Sequence, residues 1–180
     1  MTKPKPTVIA LHGDLATPAM LQRDVGDFAQ SVDVFFDARG WLRFDAAMGR
    51  LTALVQSLPI PPIVVGYSRG GSAIARLSEL VPLTAAVLYE SPVLDSEGTG
   101  GNFPCLMIWN DQGAAYSPSK LRRGQARIAK EIWRAGHDVT ELAGKGRHMA
   151  IRPPAHGWDC ELNSQIKTWI ESCTNTTAQS

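Results

Sequence analysis

The sequence predicts an α/β fold: one mainly parallel six-stranded sheet with helices on both faces. Two observations carry that expectation. Short apolar runs recur along the chain and are nearly continuous, the pattern of strands buried on both faces rather than one. Between them, apolar residues step by threes and fours, which gathers them on one side of a helix. Strands alternating with helices wind into a parallel sheet through right-handed crossovers.

The elements follow in order. Thr7 to Leu11 (TVIAL) is the first run and Val32 to Phe36 (VDVFF) the second, with a helix between them on Leu21, Val25 and Phe28. Phe44, Met48, Leu51, Val55 and Leu58 hold the helical step over four turns and lead to the third run, Ile63 to Gly66 (IVVG). Ile74, Leu77 and Val81 form the next helix, before the fourth run at Ala85 to Tyr89 (AAVLY) and the fifth at Cys105 to Trp109 (CLMIW). A helix on Leu121, Ile128 and Ile132 leads to Val139 to Ala143 (VTELA), whose more polar composition marks it as an edge strand. Trp158, Leu162, Ile166 and Trp169 give a closing helix. Prolines 61, 62, 82, 104 and 118 fall between elements, where a missing N–H costs least.

Composition narrows the function classes. With 180 residues, 44% hydrophobic and 19% charged, the chain can bury one sizeable core, which excludes a disordered chain, a collagen-like repeat and a coiled coil. No repeat or long linker divides it, so the expected layout is one domain over residues 1–173 with a polar, fraying tail over 174–180. Eighteen basic against seventeen acidic residues, with no run of like charge, give neither nucleic acid nor an anionic membrane electrostatic support as a partner. No apolar stretch approaches the roughly 18–20 residues that span a bilayer. The first residues also lack the apolar centre of a secretory leader, so a cytoplasmic address is expected. The three cysteines include no C-x-x-C pair, and Cys160 and Cys173 fall on one predicted helix about 20 Å apart, beyond disulfide reach. No set of cysteines and histidines has zinc-ligand spacing, so no metal is expected.

The chemistry concentrates after the third strand, in Gly66-Tyr67-Ser68-Arg69-Gly70-Gly71, a G-x-S-x-G followed by another glycine. At average glycine usage of about 7% such a pattern arises by chance in roughly one chain in ten of this length, so its context must carry the argument. A buried strand precedes it and a helix follows. A serine on that tight turn projects its hydroxyl above the sheet, and small neighbours are required because bulk would clash across the turn. The helix N-terminus beneath adds a positive dipole end and N–H donors. An ordinary N-cap serine with packing glycines is the competing reading. After the first strand, Leu11-His12-Gly13-Asp14-Leu15 places a glycine where the backbone must turn away from the sheet. The N–H groups of Asp14 and Leu15, with that of Arg69, would then form an oxyanion hole. His12 itself reads as a residue bonded to nearby backbone.

On these residues, and on a histidine in Gly146-Arg147-His148-Met149 after the last strand, the chain resembles the α/β-hydrolase family over nearly its whole length. The resemblance implies a minimal, lidless α/β-hydrolase fold that begins at the strand bearing Leu11-His12-Gly13, similar to small carboxylesterases and dienelactone hydrolases. Dienelactone hydrolases proper carry cysteine at the turn, so serine points to the esterase-like members. It further implies Ser68 as nucleophile, His148 as general base and Asp111 as the acid that orients it. His156, beside Pro153-Pro154, is the alternative base. The family's usual spacing puts the acid two residues beyond Asp111, and Asp95 or Glu97, after the preceding strand, are the alternatives. Tyr67 and Met149 are the candidate substrate contacts. No cofactor is implied; the substrate class is a small, soluble carboxylic ester or thioester, while the oligomeric state is left open. The rival from another class is a non-catalytic binding module that keeps the fold.

Overall fold

The strands β1 (Val8–Leu11), β2 (Gln30–Val32), β3 (Ile63–Tyr67), β4 (Ala85–Tyr89), β5 (Cys105–Asn110) and β6 (Val139–Gly144) form one sheet in the order β2-β1-β3-β4-β5-β6, and every neighbouring pair is parallel. They come from a computed structural model that describes residues 4–13, 17–32, 44–89, 91, 101–110, 138–144 and 160–176. Among the described residues lie four α-helices: α1 (Pro18–Val25), α2 (Phe44–Gln56), α3 (Arg69–Leu80) and α4 (Cys160–Thr176). A 3-10 turn, Gly26–Phe28, follows α1. No helix among the described residues is long and apolar enough to cross a membrane.

The sheet has an apolar layer on each side, as continuous apolar runs require. Val64 on β3 joins Met48, Leu51 and Val55 of α2 and Ile74 and Leu77 of α3 in one cluster. Its neighbours Ile63, Val65 and Tyr67 point the other way, into a cluster with Leu21 and Val25 of α1 and Ile166 and Ile170 of α4. Ile63, Val64 and Val65 are wholly buried, and each such side chain stabilises the fold by about 1.5–3 kcal/mol. On α3 the periodicity is clean: Ala73, Ile74 and Leu77 are buried while Arg76, Glu79 and Leu80 are exposed.

Two expectations change. The second strand pairs with β1 from Gln30, two residues ahead of the apolar run at Val32 to Phe36, through Ile9↔Gln30, Ala10↔Ser31 and Leu11↔Val32. An edge strand buries less of its surface, so polar Gln30 and Ser31 serve the ladder as well as valine would. Residues 33–36 lie outside the described residues, as does the helix expected around Leu121 to Ile132. The closing helix runs to Thr176, into the stretch expected as a fraying tail. The edges are β2, the shortest strand at three residues, and β6, which sits at the edge its polarity indicated.

The strand order marks where an open sheet of this kind is expected to bind a ligand. The chain steps from β1 outwards to β2, then returns across β1 to β3 and continues in the opposite direction. Such a reversal opens a crevice beyond the carboxyl ends of the two strands concerned, here β1 and β3. Both segments singled out in the sequence, after Leu11 and after Tyr67, leave the sheet at that point.

Candidate active site

Ser68 is the residue between β3 and α3, with φ 50° and ψ −115°. Among the described residues it is the one non-glycine residue with positive φ. An L-residue there costs on the order of 1–3 kcal/mol and persists only when its surroundings fix it from several sides. Two backbone bonds do so. The Ser68 N–H donates to the Tyr89 carbonyl of β4 at 2.9 Å, and the Ser68 carbonyl accepts from the Gly71 N–H of α3 at 3.0 Å. The serine takes the N-cap position of α3, yet its side chain makes no capping hydrogen bond. A serine selected to cap a helix would make that bond, so the capping account leaves its conformation unexplained.

The glycines bring three backbones together. A Cβ on Gly70 would run into the Leu11 carbonyl, so α3 lies directly against the end of β1 only because that residue is glycine. Gly13 lies against the turn itself: a Cβ there would sit 2.9 Å from the Ser68 Cβ and 3.0 Å from the Tyr67 carbonyl. The β1 loop and the serine turn are therefore in contact, as the register Leu11↔Gly66 demands. His12, fully buried, donates from Nδ1 to the Gly13 carbonyl at 2.9 Å, and that bond places the ring proton on Nδ1.

Arg69 opens α3, so its N–H belongs to the first turn, whose donors have no carbonyl partner within the helix. Tyr67 is 2% exposed, and its ring packs on Tyr89 at a centroid separation of 5.2 Å and a tilt of 35°. Asp14, Leu15, Asp111, His148 and Met149 lie outside the described residues, as do Asp95, Glu97 and His156. The structure thus brings together Ser68, the Arg69 backbone, Gly13, His12 and Tyr67.

One residue escaped the sequence reading. Ser91, just past β4, is 1% exposed and lies under the turn, its hydroxyl 3.2 Å from the Gly66 carbonyl and 3.1 Å from the Tyr89 carbonyl. The doubled glycine Gly70-Gly71 was its signal, since a second glycine after the turn implies something pressed against it.

No protein-family model matches the sequence. No curated protein matches it either. Solved structures do. The carboxylesterase of Bacillus cereus superposes with a TM-score of 0.61 over 94% of this chain and 89% of its own, at 16% identity. SOBER1 of Arabidopsis thaliana gives 0.63 over 94% and 99%, at 15% identity. The monoacylglycerol lipase of Paleococcus ferrophilus gives 0.66 over 94% and 96%, at 14% identity. The fold is that of the α/β-hydrolases. At such identities the likeness carries the α/β-hydrolase fold and nothing finer. The strained serine at the β3–α3 turn and the β1 loop against it come from this chain's own geometry.

Proposed function

We propose that the protein is a serine hydrolase that cleaves carboxylic ester or thioester bonds of small, soluble substrates through an acyl-enzyme on Ser68. The observation that supports this most directly is the positive φ of Ser68 on a turn braced by both β4 and α3, in a residue that does no capping work. Holding an L-residue there presents its hydroxyl over the crevice between β1 and β3, which an ordinary turn would not do. The neighbours named as carboxylesterase and monoacylglycerol lipase agree with an ester as substrate.

In this mechanism Ser68 Oγ attacks the acyl carbonyl carbon while His148 takes its proton, with Asp111 fixing the tautomer of His148. The tetrahedral oxyanion is held by the N–H groups of Arg69 and of Asp14 and Leu15. His12 donates from Nδ1 to the Gly13 carbonyl at 2.9 Å, which steadies the backbone leading into that loop. His148 then gives its proton to the leaving alcohol or thiol. Water, activated by the same base, releases the acid and restores the serine. Tyr67 enters through the packing beneath Gly13 and Ser68, and Met149 is the proposed contact on the acyl side.

Labelling with a fluorophosphonate, followed by turnover of p-nitrophenyl acetate, tests this reading. Wild type should label at one site, and both Ser68→Ala and His148→Ala should lower kcat by several orders of magnitude without loss of fold, because triad members act as a unit. A folded wild-type protein that neither labels nor turns over esters is a binding module on this fold instead. Damage from His156→Ala rather than His148→Ala would move the base, and damage from Asp95→Asn rather than Asp111→Asn would move the acid.

A further inference from the structure

We infer that Ser91 is a positioning residue for the nucleophile: its buried hydroxyl and Cβ hold the two peptides that flank Ser68 in the geometry for attack. The inference rests on Ser68 being the nucleophile. Ser91 touches the turn from two sides. Its Oγ lies 3.1 Å from the Tyr89 carbonyl, the same oxygen that receives the Ser68 N–H at 2.9 Å. It also lies 3.2 Å from the Gly66 carbonyl, two residues ahead of Ser68 on β3. With one proton, the hydroxyl donates to one carbonyl at a time or is shared between them, and either way it ties the end of β4 to the end of β3. On the other side, a Cβ on Gly71 would run into both Cβ and Oγ of Ser91, so the two residues are in close contact. Gly71 is the residue whose N–H donates to the Ser68 carbonyl at 3.0 Å.

Ser91 therefore shares the acceptor that fixes the N–H of Ser68 and packs on the donor that fixes its carbonyl. These are the two bonds that hold the φ of 50°. A filler of the same space would be alanine, which carries no polar atom to satisfy at 1% exposure. Removing the hydroxyl loosens the β3–β4 tie and lets the turn relax towards an ordinary conformation, which displaces Oγ from its line of attack. A displacement of about 1 Å costs up to roughly 10²-fold in rate, with little change in the affinity of the encounter complex.

The test is the rate of covalent labelling by a fluorophosphonate. In that reaction the Ser68 Oγ–P bond forms, the P–F bond breaks, fluoride leaves, and the serine proton passes to the general base. Wild type and Ser68→Ala come first: absence of labelling in wild type removes Ser68 as nucleophile, a failure distinct from any result at Ser91. Given a labelling wild type, Ser91→Ala should lower the maximal labelling rate constant by about 10–100-fold while the half-saturating probe concentration stays within twofold. Gly71→Ala should lose labelling through collision with Ser91. Adding Ser91→Gly should restore its melting temperature, yet leave the rate no higher than that of Ser91→Ala. If Ser91→Ala is too unstable to purify, Ser91→Cys, which keeps the volume with a weaker donor, carries the same expectation of a reduced rate. A labelling rate in Ser91→Ala equal to wild type, or full recovery of rate in the Gly71→Ala/Ser91→Gly pair, would show that Ser91 only fills space and would overturn the inference.

Discussion

Gly13 shows how single atoms decide this site. Its missing Cβ would stand 2.9 Å from the Ser68 Cβ and 3.2 Å from the Tyr67 ring, distances at which something must move. The obstructing atoms are a Cβ and a backbone carbonyl, which cannot swing aside as the tip of a long side chain would. Under the proposed mechanism, Gly13→Ala should therefore push the β1 loop away from the turn and displace the N–H donors proposed there. Loss of such donors costs on the order of 10²–10³ in kcat, while overpacking of this kind destabilises by about 1–3 kcal/mol. Ester turnover measured beside urea unfolding separates the two. Wild-type turnover in a Gly13→Ala protein would mean that this loop takes no part in catalysis. At this scale the sequence was informative about Ser68, because glycines crowd around it within six residues. For Ser91 it held only the indirect signal of Gly71, because the contact of Ser91 with Gly66 spans twenty-five residues and depends on strand register.

At the scale of elements, legibility followed burial. The runs at β3, β4 and β5 are buried on both faces, so their apolar sequence had no alternative use, and their bounds fall within a residue or two of expectation. The edge strand β2 is the exception, because hydrogen bonding to β1 rather than burial sets where it begins. Burial also gives β5 a titration signature. Cys105, its first residue, is fully buried, and burial pushes its thiol far above its ordinary value, with smaller contributions from Cys173 on α4 and from Asp138. In the unfolded chain the thiol ionises near pH 8.5; in the folded protein it stays neutral. The folded state thus holds the proton more tightly, and the contribution to stability is complete below about pH 8.5 and is lost as pH rises above it. At pH 10 the loss from Cys105 is about 2 kcal/mol. Urea unfolding of wild type and Cys105→Ala at pH 8 and pH 10 measures it: the stability gap between them should change by about that amount in favour of the alanine variant. A gap independent of pH would mean that the thiol ionises equally easily in both states.

Under the proposed hydrolysis, substrate size is a question for the whole molecule. Its crevice opens at the reversal of strand order between β1 and β3, beyond the carboxyl ends of a sheet whose central strands are fully occupied by core packing. Any cover must come from the connections at that end. The β4–β5 connection, residues 90–104, begins close under the turn at Ser91 and is tied into the core again at Phe103, which is 4% exposed. We propose that this connection, of fifteen residues and held at Ser91 and Phe103, rims the cleft without roofing it. Each methylene that leaves water contributes about 0.8 kcal/mol. A walled tunnel would therefore raise kcat/KM steeply with every added carbon up to its length, whereas an open cleft gains over the first few carbons and then flattens. Under the proposed ester hydrolysis, a p-nitrophenyl ester series from about two to twelve carbons should peak between acetyl and butyryl, with no increase in rate when micelles supply a lipid–water interface. A peak at eight carbons or beyond, or a jump in rate above the substrate's solubility limit, would mean a covered acyl site and would overturn the open-cleft proposal.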